Sequence, residues 1–273
     1  MTELPELPAQ PGLLDQECAL TRSGDGVYER DLGRVWWGWE AQHGGYVTAL
    51  ALTATAAELA EPEQSLQHLT IHFMRPFVDG PFRAEVTVER RGRTMANVTA
   101  RLWSGGKVAG LVLASYARRR AVAEITAARM PEVSPFDPDE RPDAAPAALA
   151  TFERVEMYPR FADVDGSGTA RVGGWCRPHT PEVVDDRWLV LLADFWPPAA
   201  LSLWGQGGLA QSVDLTFHLR SRFPRPDLPP GEPLLVVLDT RASVGGFVDE
   251  DVEIWSRGGE LLAQSRQMRF VHG

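Results

Sequence analysis

Leu69-Thr70-Ile71-His72 recurs as Leu215-Thr216-Phe217-His218, an offset of 146 residues from Leu69 to Leu215. The same neighbours surround both copies in the same order. Trp103-Ser104-Gly105-Gly106 has its counterpart in Trp255-Ser256-Arg257-Gly258-Gly259, now at an offset of 152 from Trp103 to Trp255. The drift between the two offsets falls where residues 225–232 form a Pro-rich insert. One four-residue match is weak evidence. Shared order, shared turn chemistry and a nearly constant offset together indicate an internal duplication of a whole folding unit, not a solenoid of short repeats.

Working outward from the first copy, His43-Gly44-Gly45 is a breaker cluster, and the run 46–60 that follows is Ala, Leu and Thr-rich. Its spacing predicts a buried helix of about four turns that ends before Pro62. Residues 66–73, 81–90, 94–103 and 108–117 carry the alternation and β-branched content of strands. Ser104-Gly105-Gly106-Lys107 predicts a hairpin between the last two. In the second copy, 154–161, 168–176, 212–219, 234–242 and 248–255 read as strands and 186–203 as the helix. Between the copies, residues 121–150 are rich in Pro, Ala and acid without a sustained period, and read as a surface linker. The expected division is 1–120, a linker at 121–150, and 151–273. Helix then strands, twice, is an α+β pattern.

The chain has 273 residues, 44% of them hydrophobic and 23% charged. A chain of this size buries about 73% of its surface on folding, so the core needs no covalent staple. Two cysteines, Cys18 and Cys176, make neither a disulfide framework nor a four-ligand zinc site. A formal charge of −10 argues against a general binder of nucleic acid or anionic membrane. There is no run of ~20 apolar residues to span a bilayer and no secretory signal at the start, so the expectation is a cytoplasmic protein with reduced thiols. Neither a GxSxG elbow nor a Walker A loop is present. Gly205-Gln206-Gly207-Gly208 follows no strand of a βαβ unit and is a weak dinucleotide signal. No cofactor or metal is expected: His72 and His218 occupy equivalent repeat positions, which argues for packing, and no third ligand is suitably spaced.

The sequence Gly44-Gly45-Tyr46 opening a helix, then LTIHFMRP and Gly92-Arg93-Thr94, resembles the first half of the TesB-like acyl-CoA thioesterase II family. LLADFWPPAAL, QSVDLTFHLR and LLAQSRQMRF resemble its second half. The resemblance covers most of residues 28–270 outside the linker. It implies a double hotdog fold, with a long helix wrapped by an antiparallel sheet twice in one chain, and hydrolysis of acyl-CoA thioesters. It also implies a homo-oligomer, a dimer or a dimer of dimers.

Carried onto this chain, the family's water-holding residues are Asp194, Ser212 and Gln267. Asp194 is the sole acid between Asp186 and Asp214 and lies in an apolar run. A carboxylate there is costly unless partnered, and burial would move it toward the range of a general base. At 212 the family more often has Thr. Thr216 is the alternative hydroxyl, and on a regular strand 212, 214 and 216 share a face, which would also bring Asp214 near. Gln264 is the rival of Gln267, on the opposite strand face; the match through Leu261-Leu262-Ala263 favours Gln267.

Gly44 and Gly45 begin the first helix, where exposed N–H groups would polarise a carbonyl oxygen. His43 beside them is a candidate base or a structural hydrogen-bonder. Trp36, Trp37, Trp39, Phe195 and Trp196 are candidates for an acyl pocket or for core filling. Arg90, Arg91, Arg93 and Arg118 to Arg120 are candidates for the CoA phosphates or a solvated basic face. Two other readings stand beside hydrolysis: an acyl-thioester dehydratase or hydratase pairing His43 with Asp194, and a non-catalytic acyl-CoA or lipid carrier.

Overall fold

The computed structural model describes residues 12–143, 150–161, 170–199, 209–223, 225 and 227–272. In chain order the elements are α1 (Leu13–Cys18), β1 (Thr21–Gly24), β2 (Val27–Leu32), α2 (Gly44–Leu59), β3 (Ser65–Phe73), β4 (Gly80–Arg91), β5 (Met95–Ser104) and β6 (Lys107–Ala117). After the linker come β7 (Val155–Phe161), β8 (Arg171–Pro178), α3 (Asp186–Leu192), β9 (Leu209–Leu219), β10 (Leu234–Asp239), β11 (Ser243–Val244), β12 (Phe247–Trp255) and β13 (Leu261–His272).

The strands form one continuous antiparallel sheet in the order β1-β2-β4-β5-β6-β3-β9-β13-β12-β10-β8-β7, with β11 on β12. Counted from the middle, each half repeats the other. The seam is β3 against β9, where Thr70 lies opposite Thr216 and His68 opposite His218. Thr70 and Thr216 are repeat equivalents, so the local dyad of the duplication passes between them, where their hydroxyls meet at 3.0 Å. The ends of the hairpin β5–β6 are Ser104 and Lys107, and both central glycines, Gly105 and Gly106, have positive φ, as a type I′ turn requires.

The sheet curls around α2, whose residues are buried on nearly every side. That is why its sequence lacks a polar face: a helix apolar all round belongs in a core. Its hydroxyls are satisfied locally, Thr48, Thr53 and Thr55 each donating to the carbonyl four residues back. The arrangement is a double hotdog.

The second helix departs from expectation. It ends at Leu192 and not at 203; of the predicted span, residues 200–203 lie outside the described residues, as does the loop at Gly205–Gly208. Asp185 caps its start, accepting from the Arg187 and Trp188 amides. Its stop follows from Pro197-Pro198, which remove two donors and push the preceding residue away from helical geometry. Strand β10 stops at Asp239, short of 242, and β8 begins at Arg171, with 168 and 169 outside the described residues.

The linker is more than a surface connection. Phe136 is buried in a second cluster with Tyr158, Trp175, Leu235, Val237, Trp255 and Leu261, and Ala128, Met130 and Val133 pack against it. Leu234, Val236 and Leu238 of the same strand face the main core. Hence β10 is covered on both faces and reads as the unbroken run Leu234-Leu235-Val236-Val237-Leu238.

Candidate active site

The short α3 delivers Asp194 to the start of α2. After Leu192 the chain closes tight turns, with Asp194 N–H donating to the Leu191 carbonyl at 3.3 Å and Phe195 N–H to that of Leu192 at 3.2 Å. The two helices approach so closely that only glycine fits: a Cβ on Gly45 would lie 2.5 Å from the Leu191 carbonyl oxygen, and one on Gly44 would lie 2.5 Å from Asp194 Oδ2. Gly45 N–H donates to Asp194 Oδ2 at 2.9 Å. A carboxylate at a helix N-terminus meets unsatisfied N–H groups and the positive end of the dipole.

Strand β9 brings Ser212. Its alternation places Leu215, Phe217 and Leu219 in the core, so a regular strand would turn 214 and 212 outward together. It is not regular: Met268 opposes Asp214 while Arg269 opposes Ser212, leaving Val213 unpaired as a β-bulge. The bulge re-aims Ser212 inward. Asp214 stays outside, accepting the Met268 amide at 2.9 Å. The expectation that 212, 214 and 216 share a face is therefore corrected, and Asp214 and Thr216 do not join Ser212.

Strand β13 brings Gln267, buried at 1% exposure. Ser212 Oγ lies 3.3 Å from Asp194 Oδ1 and 3.4 Å from Gln267 Oε1. Gln264 is on the other face, accepting from Arg220 and donating to Glu253.

Two residues that the sequence reading missed complete the cluster. Arg269 donates through Nη2 to Asp194 Oδ1 at 2.9 Å, through Nη1 to Ser212 Oγ at 3.2 Å and through Nε to Glu250 Oε2 at 2.5 Å. Glu250, fully buried, also accepts from Gln267 Nε2 at 2.9 Å and from Ala199 N–H at 3.0 Å. A signal for both was present. Counting by twos from Val252 reaches Glu250, and from Ala263 reaches Ser265, Gln267 and Arg269, all inward. The signal is weak because charge-rich strands usually face water. Neighbouring acids make the buried guanidinium harder to deprotonate, against the effect of its burial.

His43 precedes α2, its ring 5.4 Å from that of Phe195. Burial lowers its pKa, against the raising effect of Asp194, so the ring favours the neutral form. Its Nδ1 is buried with no hydrogen-bond partner among the described residues. Phe195 and Trp196 are both buried; Phe195 packs edge-on against Phe152, and Trp196 Nε1 lies 3.1 Å from Cys176 Sγ. Trp36 is core, stacked on Tyr46. Trp37 stands in the turn before α2 beneath the Arg34 guanidinium at 4.7 Å, and Trp39 is exposed. Of the candidate arginines, Arg91 binds Glu61 and the Leu59 carbonyl, Arg118 pairs with Glu63, and Arg119 donates to the carbonyls of Arg220 and Ser221. His68 and His218 meet across the seam with ring centroids 5.1 Å apart and planes tilted by 49°. Among the described residues no group of three or more His, Cys, Asp or Glu is placed to hold a metal ion, and no helix is long and apolar enough to cross a membrane.

This geometry can be set beside known proteins. Family models of the acyl-CoA thioesterase N-terminal and C-terminal domains match residues 34–119 and 128–271. No curated protein matches the sequence significantly. A hot dog fold protein of unknown function from Alicyclobacillus acidocaldarius is similar at TM-score 0.86 and 24% identity, over 97% of this chain and 99% of that one. A Thermobifida fusca protein assigned as a thioesterase II is similar at TM-score 0.82 and 26% identity, over 96% and 98%. The acyl-CoA thioesterase II TesB2 of Mycobacterium marinum shares the fold at TM-score 0.75 and 18% identity, over 95% and 96%. With both halves matched in order and the fold in agreement, the chain belongs to the acyl-CoA thioesterase family, as a thioester hydrolase.

Proposed function

We propose that the protein hydrolyses an acyl-CoA thioester to the free acid and CoA, with Asp194 as the base that activates water and Ser212 and Gln267 as the groups that orient it. One observation carries this reading. A single hydroxyl, Ser212 Oγ, stands 3.3 Å from Asp194 and 3.4 Å from Gln267, three residues drawn from three separate elements. Both separations exceed the usual hydroxyl hydrogen bond of about 2.5–3.0 Å. Such spacing suits a cluster that closes around a water.

Asp194 accepts from Gly45, Arg269 and Ser212. A carboxylate has about four lone-pair directions, which leaves one for a water proton. The water oxygen attacks the thioester carbonyl as Asp194 takes its proton. The tetrahedral intermediate then collapses, the C–S bond breaks, and the proton on Asp194 passes to the departing sulfur. Because Gly45 N–H is engaged by Asp194, the preceding amide, Gly44 N–H, is the remaining donor of that pair for the developing oxyanion. The dehydratase alternative would need Asp194 aimed at His43, whereas its oxygens meet Gly45, Arg269 and Ser212. The same reading keeps the protein in a reducing compartment, with buried free Cys18 and Cys176, and as a homo-oligomer.

The test is release of CoA thiol from a panel running from acetyl- to palmitoyl-CoA with one aromatic acyl-CoA, for the wild type and Asp194→Asn. The variant should fold and lose about 10²–10⁴ in kcat on the best substrate. Wild-type turnover by folded Asp194→Asn on every thioester would overturn the reading.

A further inference from the structure

Resting on that reading of Asp194 as base, we propose that Arg269 and Glu250 are positioning residues of the hydrolysis, and that Glu250 decides which atom of Gln267 faces the water. Gln267 has two chemically opposite ends, an acceptor oxygen and a donor amide. At its position the carboxylate of Glu250 is an acceptor only, so it takes the amide end at 2.9 Å and leaves Oε1 toward Ser212. The cleft then presents two acceptors, the Asp194 carboxylate and Gln267 Oε1, on either side of one hydroxyl. A water between them can donate both protons and direct a lone pair outward to a carbonyl carbon.

Arg269 fixes the remaining members. Its three nitrogens reach Glu250, Ser212 and Asp194, one each. Because Arg269 donates to Ser212 Oγ, the serine's single proton points toward Asp194 or Gln267 and never toward the guanidinium. Three of the five guanidinium N–H groups are used within the cluster and the side chain is 8% exposed, so Arg269 acts through Asp194 and Ser212 and not on substrate. The charged or titratable groups around it are Asp194 at the end of α3, Glu250 on β12 and His43 ahead of α2. Two carboxylates flank one cation, and a planar fork serves them in a way a lysine ammonium does not.

The experiment compares Arg269→Ala, Arg269→Lys and Glu250→Gln, each checked for fold by circular dichroism, using the acyl-CoA that the wild type turns over best. Arg269→Ala should lose about 10² in kcat, the scale of a displaced catalytic group. KM should stay within about threefold, because no substrate contact is removed. Guanidinium chloride at tens of millimolar should restore much of that loss, while equal sodium chloride should not; a scaffold role alone predicts no such rescue. Glu250→Gln should lower kcat without response to guanidinium, since its one oxygen cannot serve both the Gln267 and Arg269 donors on one side and the Ala199 amide on the other. If Arg269→Ala does not fold, Arg269→Lys and Glu250→Gln carry the test. Wild-type kcat in any of these folded variants, a loss confined to KM, or no guanidinium response in folded Arg269→Ala overturns the proposal. Asp194→Asn measured alongside separates the two failures. If it stays active, the base assignment falls. If it is inactive while the Arg269 and Glu250 variants are active, only the positioning roles fall.

Discussion

Asp194 is 6% exposed, yet three donors from separate elements meet its oxygens: Gly45 from α2, Ser212 from β9 and Arg269 from β13. The sequence marks the acid, because a lone carboxylate in an apolar run has few reasons to exist. Its partners are harder to read. Arg269 and Glu250 sit in strands full of exposed charge, where only strict alternation separates the inward residue from its neighbours. Gly44-Gly45 is legible as a break, but the reason for it is a close crossing of chain segments far apart in sequence. That reason makes a prediction. In Gly45→Ala the new methyl would press on the Leu191 carbonyl oxygen and Cα, at 2.5 and 2.8 Å. Overpacking of this kind costs about 1–3 kcal/mol, and it would also separate the Gly45 amide from Asp194. A lower thermal midpoint together with lower kcat is expected; an unchanged pair of values would mean that the crossing is looser than described.

Among the elements, α2 was legible to within two residues because its interior is apolar on all sides and bounded by breakers. Helix α3 is shorter than its apolar content suggests, because Pro197-Pro198 stop it although the chain stays apolar past Leu192. Strands β1 and β2 and the short α1 were not anticipated: they are brief, polar or half-exposed, and pair at the sheet's margin. The bulge at Val213 was invisible, since one extra residue in a strand leaves no compositional trace. Its effect is testable. Deleting Val213 makes Ser212 the direct neighbour of Asp214 and, because faces alternate residue by residue, leaves it inward and opposite Arg269. The deletion should therefore fold with a cooperative melt and keep most of its turnover, whereas Ser212→Ala loses it. A folded deletion as inactive as Ser212→Ala would contradict this account of how Ser212 is aimed.

At the scale of the molecule, the duplication was legible from two short strings and their offsets, and the β3–β9 seam follows from it. What the strings do not reveal is how the halves are tied beyond the seam. The α2 start from one half meets Asp194 from the other. The linker covers the far face of the second half through Phe136. Helix α1 docks on the second half, where Glu182 accepts the Leu14 amide at 3.2 Å and Asp15 meets Arg187. Burial pushes the Glu182 carboxyl up from 4.5 to about 7. A folded-state pKa above the unfolded one gives stability that is present below about 4.5 and lost as pH rises through about 7. Between pH 5 and 8 the thermal midpoint of the wild type should therefore fall relative to that of Glu182→Gln. Parallel curves would remove Glu182 from the account.

The claim beneath all of this is that water, activated by Asp194, attacks the acyl carbon directly. A single turnover in ¹⁸O-water with enzyme in excess, followed by mass spectrometry of the product and of the peptide carrying Asp194, examines it most directly. The account predicts one ¹⁸O in the free acid and neither label nor acyl adduct on Asp194. Label in the Asp194 carboxyl, or an acyl group trapped on it, would contradict the account by making Asp194 a nucleophile.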